Sequence, residues 1–502
     1  MPAHYRPPDP SYQPPPHGWR TFLITWFTQS ISVFGSELTF FALSVWLMQT
    51  LYPRADQKAE LAAALAAVSL SFAIPRLLLI PFAGAWADRH DRKRTMIAMD
   101  FASGLLSGLL AVLVITNVLD LPLLLVLLVL HSIVGVFHNS AFDASYAMLV
   151  PENKLGRANG MMMSIWSLSG IISPMIAAAI VALPSLLRQN GNTGPIAQLP
   201  DGTALAMGID ALSFFFAAAA LFFLFIPSPQ RTDLRDGRGR AKKSLWADVK
   251  EGAFYIWYRR PMLWLLGTFA VVNLLSSPVG VFQRLLLKFN LAADWMARGL
   301  SFEAALALMA TVGSVGGLAG GVLVSTWGGL KRKRVYGVII PIMISASAML
   351  GLGLSTGLYM AAVMAFTSSA MVPIMNSHSQ TIWQTQTPRE LQGRVFSVRR
   401  LIAQFTSPMG VALAGWVGGQ FDAGLVIAVS GALLLAFSSV QLFNPYLLRV
   451  EDKAWLDEMA EEHEARRART MIPAGTTESD LASAVEDALP EGILHEDITS
   501  VI

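Results

Sequence analysis

The stretch Gly84–Arg94 (GAWADRHDRKR) is a short charged loop that separates two apolar runs, residues 60–83 and 95–117. Each run is long enough to cross a bilayer as a helix, which takes about 20 mostly apolar residues. Lys and Arg crowd the end of the loop, and short loops rich in these residues stay on the cytoplasmic side of a membrane. The stretch therefore predicts a hairpin of two membrane-spanning helices with its turn in the cytoplasm.

The composition extends this interpretation to the whole chain. Of the 502 residues, 54% are hydrophobic and only 14% are charged, whereas soluble domains carry roughly 25% charged residues. That proportion excludes an ordinary soluble enzyme, because there is too little charge to solvate its surface. The sequence contains no cysteine, which excludes disulfides, thiolate metal sites, covalent haem attachment and a cysteine nucleophile.

Twelve apolar runs are candidates for membrane-spanning helices, so the predicted fold class is an all-α integral membrane protein. The runs lie approximately at 21–49, 60–83, 95–117, 121–142, 158–184, 203–226, 262–286, 302–326, 335–354, 357–376, 398–419 and 422–445. The first run follows a polar, Pro-rich leader and lacks a small-residue cleavage site, so it is not a cleaved signal peptide.

The basic residues alternate between loops and predict the orientation. Loops on one side hold 23 Lys and Arg, and the loops between them hold 6. Because the side with the excess faces the cytoplasm, both termini are predicted to lie there. We expect a multi-pass protein of a bacterial-type inner (plasma) membrane.

The second half of the chain repeats the first. Two residue pairs and one proline recur 237 residues later: Asn139-Ser140, Pro151 and Gly156-Arg157 return as Asn376-Ser377, Pro388 and Gly393-Arg394. Two six-helix halves related by a parallel repeat are typical of transporters whose binding site lies between the halves. The predicted divisions are a cytoplasmic leader (1–20), an N-terminal half (21–226), a linker (227–261), a C-terminal half (262–445) and an acidic cytoplasmic tail (446–502).

The formal net charge of +3 conceals two different regions. Residues 1–445 carry a net charge of +12, and the tail carries −9. The linker is basic at its start and then amphipathic, which predicts a helix on the inner leaflet and not a nucleic-acid site. The tail is predicted to form a helix over about 451–470 and a flexible stretch after it, serving either as a solvated extension or in regulation and partner binding.

The loop Gly84–Arg94 resembles the signature loop of the major facilitator superfamily, with its Gly, its Asp-Arg pair and its basic cluster. Within that superfamily the chain is similar to the drug and siderophore exporters that include macrolide-efflux and enterobactin-export proteins. The similar segments are Gly35 with 41–43, 210–214, 250–252 before 259–261, and 392–397. Two features depart from the pattern, since Asp91 replaces the usual second Gly and the fourth span lacks the Arg of many drug antiporters. The resemblance implies the twelve-helix major facilitator fold.

The signature loop is a candidate gate. Asp88, at the cytoplasmic end of the second span, could pair with an Arg or with helix-terminal amides and so hold the halves together in one state. By resemblance to the family's interdomain contact, its first-choice partner is Arg399 or Arg400. The candidate gating residues are Gly84, Asp88, Arg89, Arg92, Arg394, Arg399 and Arg400. The alternative is that the basic cluster only fixes topology.

The fifth and eleventh spans contain a candidate hinge. Gly170 and Pro174 lie in a segment similar to the antiporter signature, and Pro408 occupies the corresponding place in the eleventh span. Small residues let helices approach closely, and proline frees backbone carbonyls so that a helix can bend. Packing alone is the competing explanation.

Four charged residues fall well inside the predicted spans: Glu37, Arg76, Asp100 and Asp210. Burial of a charge in a membrane is costly, so each is a candidate for proton or substrate coupling. Glu37 is the first choice for the proton or cationic-substrate site; Asp210 serves coupling or structure. Arg76 and Asp100 approach the same side of neighbouring spans, which predicts a buried ion pair. His131 and His138 could relay protons or simply pack.

Together these features predict a proton-coupled exporter of hydrophobic or amphipathic small molecules that works by alternating access. It would need no metal and no cofactor beyond the proton gradient, and it is expected to act as a monomer in contact with lipid. The rivals are an importer or facilitator of the same fold and a lipid transporter. A membrane enzyme or receptor is disfavoured, because no catalytic constellation lies at workable spacing.

Overall fold

The computed structural model describes residues 15–151, 154–227, 245–388 and 391–471, and these regions fold into helices joined by short loops. The helices of the N-terminal half are α1 (Gly18–Trp46), which continues into a π-helical turn (Leu47–Leu51), α2 (Lys58–Arg89), α3 (Arg92–Ile115), α4 (Leu121–Leu149), α5 (Leu155–Gln189) and α6 (Thr203–Phe223). The linker contributes α7 (Leu245–Tyr258).

The C-terminal half begins with α8 (Arg260–Ser276) and α9 (Val279–Leu285), which continue into a second π-helical turn (Leu286–Asn290). The elements that follow are α10 (Ala292–Ala297), α11 (Phe302–Trp327), α12 (Tyr336–Gly353), α13 (Leu358–Gln386), α14 (Gln392–Val417), α15 (Ala423–Gln441), α16 (Pro445–Leu448) and α17 (Lys453–Met471).

The helices confirm a multi-pass integral membrane protein. Over the described residues, 11 helical segments are long and apolar enough to cross a membrane. They coincide with all the predicted spans except the eleventh, 398–419, which overlaps α14. The first half of α14 contains Arg394, Arg399 and Arg400, and these charges keep its hydropathy below that of the other spans.

Three hydrophobic cores divide the bundle along its length. One core joins both halves and contains the end of α1, the starts of α2 and α11 and the end of α14. At the opposite end each half has a core of its own, one around Phe22 and Phe142 in the N-terminal half and one around Met262 and Trp383 in the C-terminal half. We call the end with the shared core the closed end, and the other the open end.

Small residues set the spacing of the helices within each half. A Cβ on Gly316 would overlap the carbonyl oxygen of Phe366, and one on Gly320 would overlap that of Ala370. The backbones of α11 and α13 are therefore in direct contact, which is how membrane helices pack when lipid offers no hydrophobic force between them.

The linker helix and the start of the tail both pack on the open end of the C-terminal half. The Tyr255 hydroxyl of α7 donates to Gln386 O at 2.7 Å, and Leu456 of α17 is buried in the same core. Asp457 accepts from Arg259 at 3.0 Å. The solvated-extension interpretation is therefore wrong for the start of α17, because this helix contributes a buried leucine. The leader 1–14, the basic stretch 231–243 and the tail beyond 471 lie outside the described residues.

Candidate functional site

The halves are bonded to each other at the closed end. The Lys288 ammonium, from the C-terminal half, donates to Tyr52 O at 2.6 Å and to Met48 O, which lie at the end of α1. Lys58, from the N-terminal half, donates to Phe421 O at 2.8 Å. Two lysines thus reach in opposite directions across the boundary, each to backbone carbonyls near the end of a helix.

Close helix packing supports these bonds. A Cβ on Gly415 of α14 would lie 2.8 Å from Ala66 Cβ of α2, so the two helices touch there. On the other side of the boundary, Thr311 of α11 donates to Ile171 O of α5 at 3.0 Å. All these contacts involve the closed-end portions or the midpoints of their helices.

The contacts between the halves at the open end differ from those at the closed end. Among the described residues, no hydrogen bond joins the two halves there. Large apolar side chains on the boundary helices are exposed, including Phe82 of α2 (67%), Met163 of α5 (71%) and Phe405 of α14 (57%). Among the described residues, the halves therefore share hydrogen bonds and a hydrophobic core only towards the closed end, and we call the space between their open-end portions the cleft.

Glu37 lies on the face of α1 that borders this cleft. It is half-buried, and no hydrogen bond or ion pair to it is found among the described residues. Phe40, one helical turn further along, contacts the C-terminal half, where Arg284 Cζ lies 5.5 Å from its ring centre. Since residues three apart share a helix face, Glu37 borders the same boundary.

Asp210 is a hydrogen-bond hub between three helices. Its carboxylate accepts from Ser107 of α3 at 2.7 Å and from Thr39 and Ser36 of α1 at 3.0 and 3.3 Å. The residue is 1% exposed. Because three hydroxyls satisfy it and no cleft reaches it, the geometry favours the structural alternative for Asp210.

The predicted ion pair between Arg76 and Asp100 is wrong. Asp100 is fully buried, accepts from Gln29 at 2.8 Å and lies 3.1 Å from His138 Nε2. Arg76 is exposed on α2 and lies within electrostatic reach of Asp143. The two residues are at similar depths, but α4 presents His138 to Asp100.

Asp143 was missed because the predicted fourth span ends at 142, whereas α4 continues to Leu149. Asp143 is exposed, His138 is half-buried and Asp100 is fully buried. The charges of Asp143 and His138 act on each other. These three groups form a titratable series that runs from the surface of α4 to the interior of the N-terminal half.

Asp91 and Arg92 of the signature loop make hydrogen bonds within the N-terminal half. Asp91, the departure from the family pattern, caps α3 by accepting from Arg94 N at 2.9 Å. Arg92 is buried and donates to Ala87 O and Ala144 O at 3.2 and 3.0 Å, within the N-terminal half. Arg92 therefore ties α3 to the ends of α2 and α4.

Two other gating residues of this loop, Gly84 and Arg89, have free space around them. Arg89 is exposed, and nothing lies within 4 Å of a Cβ built on Gly84. The Asp88 side chain lies outside the described residues, so its pairing with Arg399 or Arg400 stays a prediction.

The gating candidates of α14 lie inside the C-terminal half. Arg394 is buried beneath α7, where a Cβ on Gly252 would lie 2.7 Å from the Arg394 carbonyl. Arg399 donates to Gln380 Oε1 at 2.6 Å and to Ser379 Oγ at 3.2 Å. Arg399 and Arg400 both line a cavity of about 360 Å³.

The hinge candidates lie within continuous helices, Pro174 inside α5 and Pro408 inside α14. Gly170 faces the other half, and a Cβ there would lie 2.9 Å from Ser314 Oγ. Glycine at this position therefore allows the close approach of α5 and α11.

A family model described as Major Facilitator Superfamily matches residues 25–411. Macrolide efflux protein A of Streptococcus pyogenes is 22% identical over 438 residues, which cover 84% of this chain and 96% of that protein. The multidrug efflux pump Tap of Mycolicibacterium fortuitum is 24% identical over 393 residues, covering 76% of this chain and 88% of Tap.

Two solved structures have a similar fold. The nucleoside transporter NupG superposes with a TM-score of 0.61 at 14% identity, covering 84% of this chain and 98% of that chain. An inward-facing, unoccupied bacterial homolog of the human lysosomal transporter Spinster gives a TM-score of 0.58 at 15% identity, covering 89% and 98%.

Proposed function

Because the chain belongs to the Major Facilitator Superfamily and is a transporter rather than an enzyme, we propose that it exports hydrophobic or amphipathic small molecules in exchange for protons. The names of its relatives, macrolide efflux protein A and multidrug efflux pump Tap, support export and this substrate class. The cleft between the halves has a broad apolar rim, which suits ligands of this kind.

The position of Glu37 is the observation on which the proposal rests. A half-buried carboxyl on the cleft face of α1, with no described partner, can take up a proton in one state and lose it in the other. Asp210 and Asp100 are already bonded within the N-terminal half, so Glu37 is the acid best placed to respond to the movement of the halves.

The open end would face the cytoplasm, since the loops there hold 23 Lys and Arg against 6 at the other end. Both termini then lie in the cytoplasm, in a bacterial inner membrane. Substrate enters the cleft from that side. The halves rock about the close contact at Gly170, with Pro174 and Pro408 as points of bending.

The open end would then close as the closed end separates. In that state the signature loop on α2 approaches α14, and Asp88 pairs with Arg399 or Arg400. Gly84 and Arg89, which lie in open space here, would become part of the contact. The series Asp143, His138 and Asp100 offers protons a route into the N-terminal half.

The test uses inside-out membrane vesicles that accumulate labelled erythromycin or ethidium when their interior is acidified. Glu37→Gln should abolish accumulation driven by the pH gradient and retain exchange of labelled for unlabelled compound. Glu60→Gln is the matched control, because Glu60 is exposed at the start of α2, away from the cleft.

Unchanged accumulation by Glu37→Gln would refute the proton assignment. An importer would instead move the compound together with protons, and a facilitator would exchange it without responding to the gradient.

A further inference from the structure

The C-terminal half contains a cavity between its own helices. It has a volume of about 360 Å³ and is lined by residues of α8, α12, α13, α14 and α15. Its lining includes the apolar side chains of Phe269, Trp383 and Leu434 together with the two arginines Arg399 and Arg400.

Neither arginine has an anionic partner among the described residues. Arg399 is half-buried and donates to two neutral acceptors, Gln380 Oε1 at 2.6 Å and Ser379 Oγ at 3.2 Å. Its Cζ lies 5.2 Å from the ring centre of Trp383. Arg400 is exposed into the same cavity, and the two positive charges repel each other.

No nearby acid compensates these charges. The lining contains no Asp or Glu, and in the six membrane helices of this half the sequence has a single acid, Glu303, in the first turn of α11 at the closed end. The helices of the N-terminal half, by contrast, contain six acids in the sequence, namely Glu37, Glu60, Asp88, Asp100, Asp143 and Asp210.

Two adjacent cations in a partly dehydrated site are unfavourable until an anion joins them. A guanidinium also recognises carboxylate, sulfonate and phosphate through paired hydrogen bonds. Asn273 and Asn376 also line the cavity and can donate further bonds.

We propose that this cavity binds the anionic group of an amphipathic molecule, with Arg399 and Arg400 on the charge and Phe269 and Trp383 on the apolar part. The inference rests on the proposed function in taking this molecule to be a transported substrate. It extends the substrate class to amphiphiles that carry a carboxylate, sulfonate or phosphate.

The test compares two probes that share one aromatic frame, 1-anilinonaphthalene-8-sulfonate and its neutral analogue N-phenyl-1-naphthylamine. Their binding to the protein in phosphatidylcholine nanodiscs is followed by fluorescence, with empty nanodiscs subtracted. Arg399→Gln and Arg400→Gln should each weaken binding of the sulfonate about tenfold, the value of one charged hydrogen bond, and change binding of the neutral probe less than twofold.

Two controls separate charge from shape. Arg400→Lys keeps the charge and should retain most of the sulfonate affinity. Arg449→Gln removes an exposed arginine that pairs with Asp452 outside the cavity and should have no effect. Equal losses for both probes, or no loss in either glutamine variant, would overturn the proposal.

Adding phosphatidylglycerol to the nanodiscs identifies the source of the anion. If a lipid headgroup occupies the cavity, this lipid should compete with the sulfonate in the wild type and not in Arg399→Gln. If it does not compete, the ligand is a soluble amphiphile. If the wild type binds the sulfonate but does not export ethidium in response to a pH gradient, only the proposed function fails. If it exports ethidium but the two glutamine variants bind the sulfonate like the wild type, only the assignment of the cavity fails.

Discussion

Replacing Lys288 by methionine should loosen the closed end of the bundle. The Lys288 ammonium crosses the boundary between the halves and donates to Met48 O and Tyr52 O. Methionine keeps the apolar length of the side chain and removes both bonds. The change therefore acts on the contact between the halves and leaves the packing within each half intact.

The size of the effect follows from these bonds. A hydrogen bond from a charged group is worth about 1.5–3 kcal/mol, and Lys288 is half-exposed, so water replaces part of what is lost. We therefore count the two bonds as a single bond at the lower end of this range, about 1.5 kcal/mol. This free energy corresponds to about a tenfold rise in the population of molecules whose closed end is separated.

The assay exploits the absence of cysteine from the sequence. A single Ala66→Cys reporter, buried where α2 meets Gly415, should react with a bulky maleimide only when the closed end separates. Lys288→Met should raise its labelling rate about tenfold. Arg188→Met is the matched control, because Arg188 donates to Ala197 O and Leu199 O within the N-terminal half at the same end. A labelling rate unchanged by Lys288→Met, or raised equally by Arg188→Met, would refute the reasoning.

Two further predictions concern stability, measured by thermal unfolding in detergent. Gly320→Ala should lower the free energy of unfolding by about 3 kcal/mol, the upper range for overpacking, because its Cβ would overlap Ala370 O. Gly321→Ala is the control and should be neutral, because nothing lies within 4 Å of a Cβ at that position. Equal effects of the two changes would contradict the close packing of α11 on α13. Asp210→Asn should cost about 1–3 kcal/mol by leaving a buried hydroxyl unsatisfied, and Ser36→Ala, which loses the longest bond at 3.3 Å, should cost less. If both variants unfold like the wild type, Asp210 is not a structural hub.

Hydropathy predicts the helices of this protein well, because lipid imposes one requirement on every span. A helix in hydrocarbon must satisfy its backbone internally and present apolar side chains, so its length and position can be read from the sequence. α14 is the span with the weakest hydropathy. The apolar run 398–419 predicts it, although its three arginines, which lie in the C-terminal half, keep its hydropathy below that of the other spans.

The partners of the buried charges were harder to predict, because they depend on helix rotation. Arg76 and Asp100 lie at similar depths, and depth can be estimated from the 1.5 Å rise per residue of a helix. Pairing also requires that the two side chains face each other, which a single sequence does not encode. His138 of α4 occupies that position beside Asp100. Asp143 lies outside the predicted fourth span, because α4 continues beyond residue 142 to Leu149.

The contact between the halves is suited to repeated breaking. Among the described residues, four hydrogen bonds cross the boundary, three of them from Lys58 and Lys288 to carbonyl oxygens and one from Thr311. A proton that moves down a gradient of one pH unit releases about 1.4 kcal/mol, and a membrane potential of 100 mV adds about 2.3 kcal/mol per charge. The sum of these two free energies exceeds the contribution of one exposed lysine contact and is similar to the contribution of two. The energy of a single proton, taken up by one carboxyl such as Glu37, is therefore similar to that of the lysine contacts across the closed end.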